Sequence, residues 1–185
     1  DAMTPEGTVN RSALPAIFNP EDLNALEQAL RIKDEIQGST VHVVTMGPPR
    51  AADIIRDAMF RGADGGVLLT DRKFAGSDTL ATSYALSCVL KKFGADIIVA
   101  GRQAIDGDTA QVGPQVTYAE QVVSVDEKQI VIKRRLEHGT EEVSSPLPMV
   151  MTVNASAPDC RPKNAKRIMK YKYAMTASEA AAAAG

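Results

Sequence analysis

Val41-His42-Val43-Val44-Thr45-Met46-Gly47-Pro48-Pro49 is the stretch on which the fold turns. Its first five residues form a largely β-branched run, the composition of a buried strand. Met46-Gly47-Pro48-Pro49 closes that run in a tight loop, because glycine and proline do not prolong a ladder. Directly after it, Ala51, Ile54, Ile55, Ala58 and Met59 recur at the spacing i, i+3, i+4, i+7, i+8, which places them on one buried stripe of a helix. A buried strand turning at once into an amphipathic helix is the repeating half of a parallel sheet with helices on its faces.

The same rhythm continues on both sides. Upstream, Asn19-Pro20-Glu21-Asp22 is a helix start: an N-cap asparagine, proline at the first helical position, and two acids where the helix dipole favours them. That helix reads to about Gln37, with Leu23, Leu26, Ala29, Leu30 and Ile36 on its buried side and Gly38 ending it. Downstream, Gly66 to Thr70 is a second strand. Ser77-Asp78-Thr79 then caps a helix that runs to about Phe93, and Ile97 to Ala100 is a third strand. Strand, helix, strand, helix, strand predicts an α/β fold: a doubly wound parallel sheet with helices on both faces over residues 19–115. From Val116 the rhythm changes. Val116 to Tyr118, Val122 to Val125, Gln129 to Ile132 and Glu142-Val143 are short runs parted by turn formers, and they predict a β-hairpin and edge-strand extension. Pro148 to Val153 has the composition to return to the main sheet. Ala180 to Ala184 has helix composition.

Length and composition bound what such a chain does. With 185 residues, 44% hydrophobic and 24% charged, it has the makings of one globular core. A net charge of −2 argues against general phosphate attraction to nucleic acid, and 4% aromatic residues with no tryptophan leave little for base stacking. The longest apolar runs are far below the roughly 20 residues a spanning helix needs. Cys88 and Cys160 have no metal-ligand or redox spacing, which fits a reducing cytoplasm.

In open parallel sheets, ligands bind beyond the carboxyl ends of the strands. Three loops qualify: the one at Met46, the one from Asp71 to Thr79, and Gly101-Arg102-Gln103-Ala104-Ile105-Asp106-Gly107-Asp108-Thr109-Ala110-Gln111-Val112-Gly113. The third offers amides, hydroxyls and carboxylates directly after a buried strand, the groups that wrap a nucleotide. On residue chemistry alone the alternative stands equally: Asp106 and Asp108 cap a helix and Gly107 makes a turn. His42 and His138 have no nucleophile or carboxylate at a telling spacing. No nucleophile–base pair or metal cluster is visible, so a cofactor would have to supply any chemistry.

That third loop, GRQAIDGDTAQVG, resembles the signature of the beta subunit of electron transfer flavoproteins. Asn19-Pro20 with Asn24 to Glu27, Val44 to Pro48, Gly62 to Asp64, and Pro148 to Thr152 follow the same family in order. Arg161 to Lys172 resembles its segment near the partner-dehydrogenase recognition loop. The resemblance implies an adenine nucleotide α-hydrolase-like fold and an alpha subunit that carries the electron-transferring FAD. It further implies nucleotide contacts at Asn19, Pro20 and onward to Asp22, at Met46, and at Gly101, Gln103, Ala104, Asp106, Gly107, Asp108, Thr109, Ala110, Gln111 and Val112. Asp78 and Thr79 with Thr82 resemble the electron-bifurcating branch, in which the beta subunit binds a second FAD that is reduced by NADH. In other members that nucleotide is a structural AMP. Partner contacts are implied at Arg161, Asn164, Ala165, Lys166 and Arg167, for a flavin dehydrogenase of the acyl-CoA dehydrogenase kind, with ferredoxin as a low-potential acceptor. No nucleic acid partner and no membrane insertion are expected, and the location implied is a bacterial or archaeal cytoplasm, or the periphery of a membrane complex.

The expected organisation is a nucleotide-binding domain over 1–153, followed over 154–185 by a partner-binding segment and a shortened C-terminal arm. The family's first strand is expected before Asp1, and one to two further helical turns are expected between Gln115 and Val116. A stand-alone nucleotide module of the universal-stress type would bring a glycine-rich phosphate loop and lack the basic segment; the sequence fits neither condition.

Overall fold

The computed structural model describes residues 16–74, 77–102 and 116–184. These residues fall into two compact units, 16–17 with 42–74, 77–78 and 163–184, and 18–41 with 79–102 and 116–162.

In the first unit, β1 (His42–Met46) pairs in parallel with β2 (Gly65–Leu69), from His42 opposite Gly65 to Met46 opposite Leu69. Between them runs α2 (Ala52–Arg61), entered through a short 3-10 turn at Pro49–Ala51. The apolar stripe faces inward as its spacing predicts, with Ala51, Ala52, Ile55 and Ala58 buried. Helix and sheet approach closely at Gly66: a Cβ there would lie 2.6 Å from Ile55 Cγ2 and 2.7 Å from the Val43 carbonyl oxygen. Only glycine lets this helix lie so near this strand. Gly62, at φ 141°, ends α2. The unit closes with α4 (Ala165–Tyr171) and α5 (Ala177–Ala184).

The second unit is built on a five-stranded sheet in the order β3-β7-β4-β5-β6. Its strands are β3 (Ile97–Gly101), β4 (Val116–Val125), β5 (Gln129–Leu136), β6 (Gly139–Pro146) and β7 (Met149–Val153). The expected return of 148–153 occurs: β7 lies parallel to β3, with Gly101 opposite Val153, and β4 lies parallel to β7 on its other side. The β5–β6 hairpin extends the edge in antiparallel pairing, as its turn residues predict. Val116 to Val125, read as two short runs, is one strand with register shifts at 119–121 and 122–124. Tyr118, at φ 59°, sits in the left-handed region just before the first shift.

α1 (Pro20–Glu35) packs across β3, β7 and β4 of that sheet. Between them Ala25, Ile32, Val116, Ala119, Val122, Ile130, Ile132, Met149, Met151 and Val153 make one buried cluster. Full burial of side chains the size of Ile130, Ile132 and Met151 contributes about 1.5–3 kcal/mol each. α3 (Thr79–Phe93) has the predicted bounds and buries none of its residues. The α/β class is therefore as read, with the difference that the described hydrogen-bond ladders form two sheets, and β3 takes β7 as its neighbour.

Candidate functional site

The carboxyl edge of β3 and β7 is where the second unit gathers polar groups. Gly101 and Val153 end their strands side by side, and Ala119 of β4 stands opposite Val153. The first turn of α1 is seated directly on Gly101. Asp22 Oδ1 accepts a hydrogen bond from Gly101 N–H at 2.7 Å, and Asp22 Oδ2 accepts from Asn19 Nδ2 at 3.1 Å. Arg102 Nη2 reaches Glu21 Oε1 at 3.3 Å. The approach leaves no room for a side chain on Gly101, since a Cβ would lie 2.6 Å from Asp22 Oδ1 and 2.9 Å from Asp22 N.

Asn19 takes the N-cap position with extended backbone, and Pro20 occupies the first turn, as the sequence predicts. Asn19 does not cap through its side chain; its amide goes to Asp22 instead. Two carboxylates therefore stand at the end of α1 where backbone N–H groups and the dipole would otherwise attract an anion. This end suits hydroxyl and amino donors better than phosphate. The start of α3 differs: it carries Thr79 and Thr82 and has no acid in its first turn.

Further along α1, polar side chains are buried against the segment that follows β7. Asn24 Nδ2 donates to the carbonyls of Ala157 and Pro158 at 2.9 and 3.0 Å. Glu27, only 5% exposed, accepts from Arg161 N at 2.9 Å, from Arg161 Nε at 3.0 Å and Nη2 at 3.2 Å, and from Arg31 Nε at 3.1 Å. Burial would raise the Glu27 pKa, but the hydrogen bonds from Arg161 and Arg31 outweigh it and hold the carboxyl below its ordinary value. Arg161 also pairs with Asp34 at 2.8 Å. Gln28 is fully buried, and its Oε1 accepts from Val122 N at 2.9 Å, satisfying an amide that the shifted register of β4 exposes. Near the same sheet edge, Glu120 accepts from Arg135 Nε at 2.7 Å and Ser156 Oγ at 2.5 Å; Ser156 foremost, against burial and with help from Arg135, holds its pKa down.

Of the expected nucleotide contacts, the structure brings Asn19, Pro20 and Gly101 together and places Thr79 and Thr82 in the same unit. Met46, at the end of β1, and Asp78 belong to the other unit. Gln103, Ala104, Asp106, Gly107, Asp108, Thr109, Ala110, Gln111 and Val112 lie outside the described residues. Of the expected partner contacts, Ala165 and Lys166 are exposed, while Asn164 and Arg167 are engaged by their own unit. Asn164 N donates to the Phe60 carbonyl at 2.8 Å, and Asn164 Oδ1 caps α4 by accepting from Lys166 N at 3.0 Å and Arg167 N at 3.3 Å. Arg167 donates to the carbonyls of Met59 at 2.6 Å and Ala63 at 2.5 Å, closing the C-terminal end of α2. Lys163 pairs with Asp57. Arg161, as above, is held on α1. Among the described residues there is no cluster of three or more metal-ligating side chains, and no helix is long and apolar enough to cross a membrane.

The electron transfer flavoprotein domain model matches residues 6–183. The chain belongs to the electron transfer flavoprotein domain family. Protein FixA of Azotobacter vinelandii is 49% identical over 161 residues, 79% of this chain and 57% of that protein. The electron transfer flavoprotein subunit beta of Clostridium acetobutylicum is 49% identical over 156 residues, covering 80% of this chain and 60% of its own. The caffeyl-CoA reductase-Etf complex subunit CarD of Acetobacterium woodii is 47% identical over 156 residues, covering 79% and 59%. The chain thus spans 57–60% of the length of these three relatives. The resemblance read from GRQAIDGDTAQVG is borne out. Within this electron transfer flavoprotein domain, Asn24 and Glu27 are buried polar residues of α1 that helical periodicity could not single out. The family resemblance pointed to this stretch, through Asn24 to Glu27 and through the contacts implied from Asn19 to Asp22.

Proposed function

We propose that this chain is the beta subunit of an electron transfer flavoprotein, holding an FAD through which electrons pass from NADH to the alpha-subunit flavin and to a low-potential acceptor such as ferredoxin. The observation that carries the nucleotide reading is the seating of α1 on Gly101, which joins Asn19, Pro20 and Gly101 at the carboxyl edge of β3. The donor set fits the group. Carboxylates and an amide at the start of α1 suit ribose hydroxyls and an adenine amino group, while Thr79 and Thr82, with no acid in the first turn of α3, suit phosphate oxygens. Bound flavin supplies hydride acceptance and one-electron transfer. The chain's own part is to bind, to orient and to exclude water, and no side chain among the described residues is needed as an acid or base.

The relatives support the partner half of the reading, since one is named as a subunit of a caffeyl-CoA reductase-Etf complex and another as an electron transfer subunit of acryloyl-CoA reductase. We assign the nucleotide to 1–153 and contact with the alpha subunit and a flavin dehydrogenase to 154–185, in a cytoplasmic complex. Ala165, Lys166 and Lys170 are exposed in that segment, and we assign the dehydrogenase contact to them. The test is to co-express the full-length protein with its alpha subunit, denature the purified complex, and quantify FAD and AMP chromatographically. Two FAD per heterodimer supports this reading. One FAD with one AMP makes the chain a structural subunit that binds AMP, and no nucleotide beyond the alpha-subunit flavin removes the site.

A further inference from the structure

We infer that Asp22 is a positioning residue: its carboxylate fixes the Gly101 amide and the Asn19 side chain, and so sets the end of β3 and the first turn of α1 for the nucleotide. The inference rests on the nucleotide site proposed above. The Asp22 carboxylate touches both halves of that edge, with Oδ1 on Gly101 N–H at 2.7 Å and Oδ2 on Asn19 Nδ2 at 3.1 Å. The two bonds use opposite oxygens of one carboxylate, so the strand end and the N-cap are held at a fixed separation. Gly101 is matched to this contact from its own side, because a Cβ would lie 2.6 Å from the same Oδ1 and 2.9 Å from the Glu21 carbonyl carbon. Strand and helix therefore meet backbone to carboxylate. A third link, Arg102 to Glu21 at 3.3 Å, ties the next residue to the same turn.

Electrostatics makes the inference one of sign as well as size. A carboxylate at a helix N-terminus beside a nucleotide would, acting only through its charge, repel the phosphates, and its removal would tighten binding. A carboxylate acting through Gly101 and Asn19 does the reverse, and its removal loosens binding. The bonds are solvent-exposed, which keeps the expected effect to that of about one net hydrogen bond, roughly three- to tenfold in affinity.

The experiment uses the full-length heterodimer freed of the beta-subunit nucleotide. It compares wild type, Asp22→Ala and Asp22→Asn by FAD titration and by hydrogen exchange resolved to single amides. The expected result is a three- to tenfold weaker FAD Kd in Asp22→Ala, a smaller loss in Asp22→Asn, which keeps one acceptor oxygen, and about tenfold faster exchange at Gly101 N–H with Ile130 and Met151 unchanged. Unchanged Gly101 exchange in Asp22→Ala overturns the inference, and so does faster exchange with an unaltered or tightened Kd. Equal acceleration at Ile130 and Met151 overturns it too, by showing general loosening. If wild type takes up neither FAD nor AMP, the proposed function fails, while exchange at Gly101 still decides whether the carboxylate holds the strand end.

Discussion

Replacing Arg161 by alanine is expected to cost about 2–3 kcal/mol at neutral pH, and the loss has a defined pH signature. The substitution removes two of the three bonds that Arg161 gives to Glu27, those from Nε at 3.0 Å and Nη2 at 3.2 Å, and leaves the backbone N–H and Arg31. Glu27 has a side chain only 7% exposed, so its charge cannot turn to water for replacement. A hydrogen bond to a charged group contributes roughly 1.5–3 kcal/mol, and leaving a buried charge short of partners costs at the upper end of that range. Two corrections lower the sum. Arg161 is itself 32% exposed, and its pairing with Asp34, 61% exposed, adds little. What remains is about 2–3 kcal/mol, or a fall in Tm of about 4–12 °C for a chain of this size. Because the native state lowers the Glu27 pKa, its contribution is fully present above the ordinary carboxylate range and is lost as pH falls through the depressed value. The gap between wild type and Arg161→Ala should therefore be constant above about pH 5 and shrink below it. Arg161→Lys should recover less than half, since an ammonium cannot reproduce the fork. Urea unfolding of the full-length protein followed by far-ultraviolet circular dichroism, from pH 3 to 8, reads both. A difference under about 0.5 kcal/mol at pH 7, the size of an ordinary surface change, or a gap that persists undiminished in acid, would show that Arg161 does not stabilise the buried Glu27 charge.

Three further outcomes are expected. Gly66→Ala should destabilise by about 1–3 kcal/mol, and adding Ile55→Ala should not restore it, because the Val43 carbonyl oxygen at 2.7 Å is backbone and cannot yield; full rescue in thermal melts would contradict the packing described. Arg167→Ala should cost about 1.5–3 kcal/mol through the freed Met59 and Ala63 carbonyls, with faster amide exchange confined to the end of α2 and to α4; a wild-type melting profile would show these bonds to be dispensable. Charge reversal at Lys166 and Lys170, both exposed, should leave the fold and bound flavin unchanged and slow electron transfer to the dehydrogenase, most at low salt. Altered flavin stoichiometry would mean that these lysines do not face the partner.

The elements were legible where local chemistry decides them. Asn19-Pro20 opens α1, Thr79 opens α3, and the stripe from Ala51 to Ala58 faces the β1–β2 pair, because capping and helical period act over one or two turns. α1 shows where that reading stops. Periodicity put Leu23, Leu26, Ala29, Leu30 and Ile36 on its buried side, yet only Leu26 and Leu30 of these are buried, and Asn24, Glu27 and Gln28 are buried in place of the rest. Their partners are Ala157, Arg161 and Val122, between 94 and 134 residues away, and no local pattern announces a carbonyl or a strand bulge that distant. The basic run from Arg161 to Lys172 was similarly legible as a composition but not as a division of labour. Asn164 and Arg167 hold the run onto α2, Arg161 is held on α1, and Lys166 and Lys170 remain outward. The pairing of β3 with β7 depended on which apolar strand sits in the middle, which strand composition does not encode.

Whether an adenine nucleotide lies against the joined ends of α1 and β3 is decided by a structure of the full-length protein with its alpha subunit and bound nucleotide. The nucleotide is expected within hydrogen-bonding reach of Asn19 and the Gly101 backbone, with the Asp22 carboxylate still on the Gly101 amide. A nucleotide bound elsewhere on this chain, or a fully liganded complex with that edge bare, would contradict it.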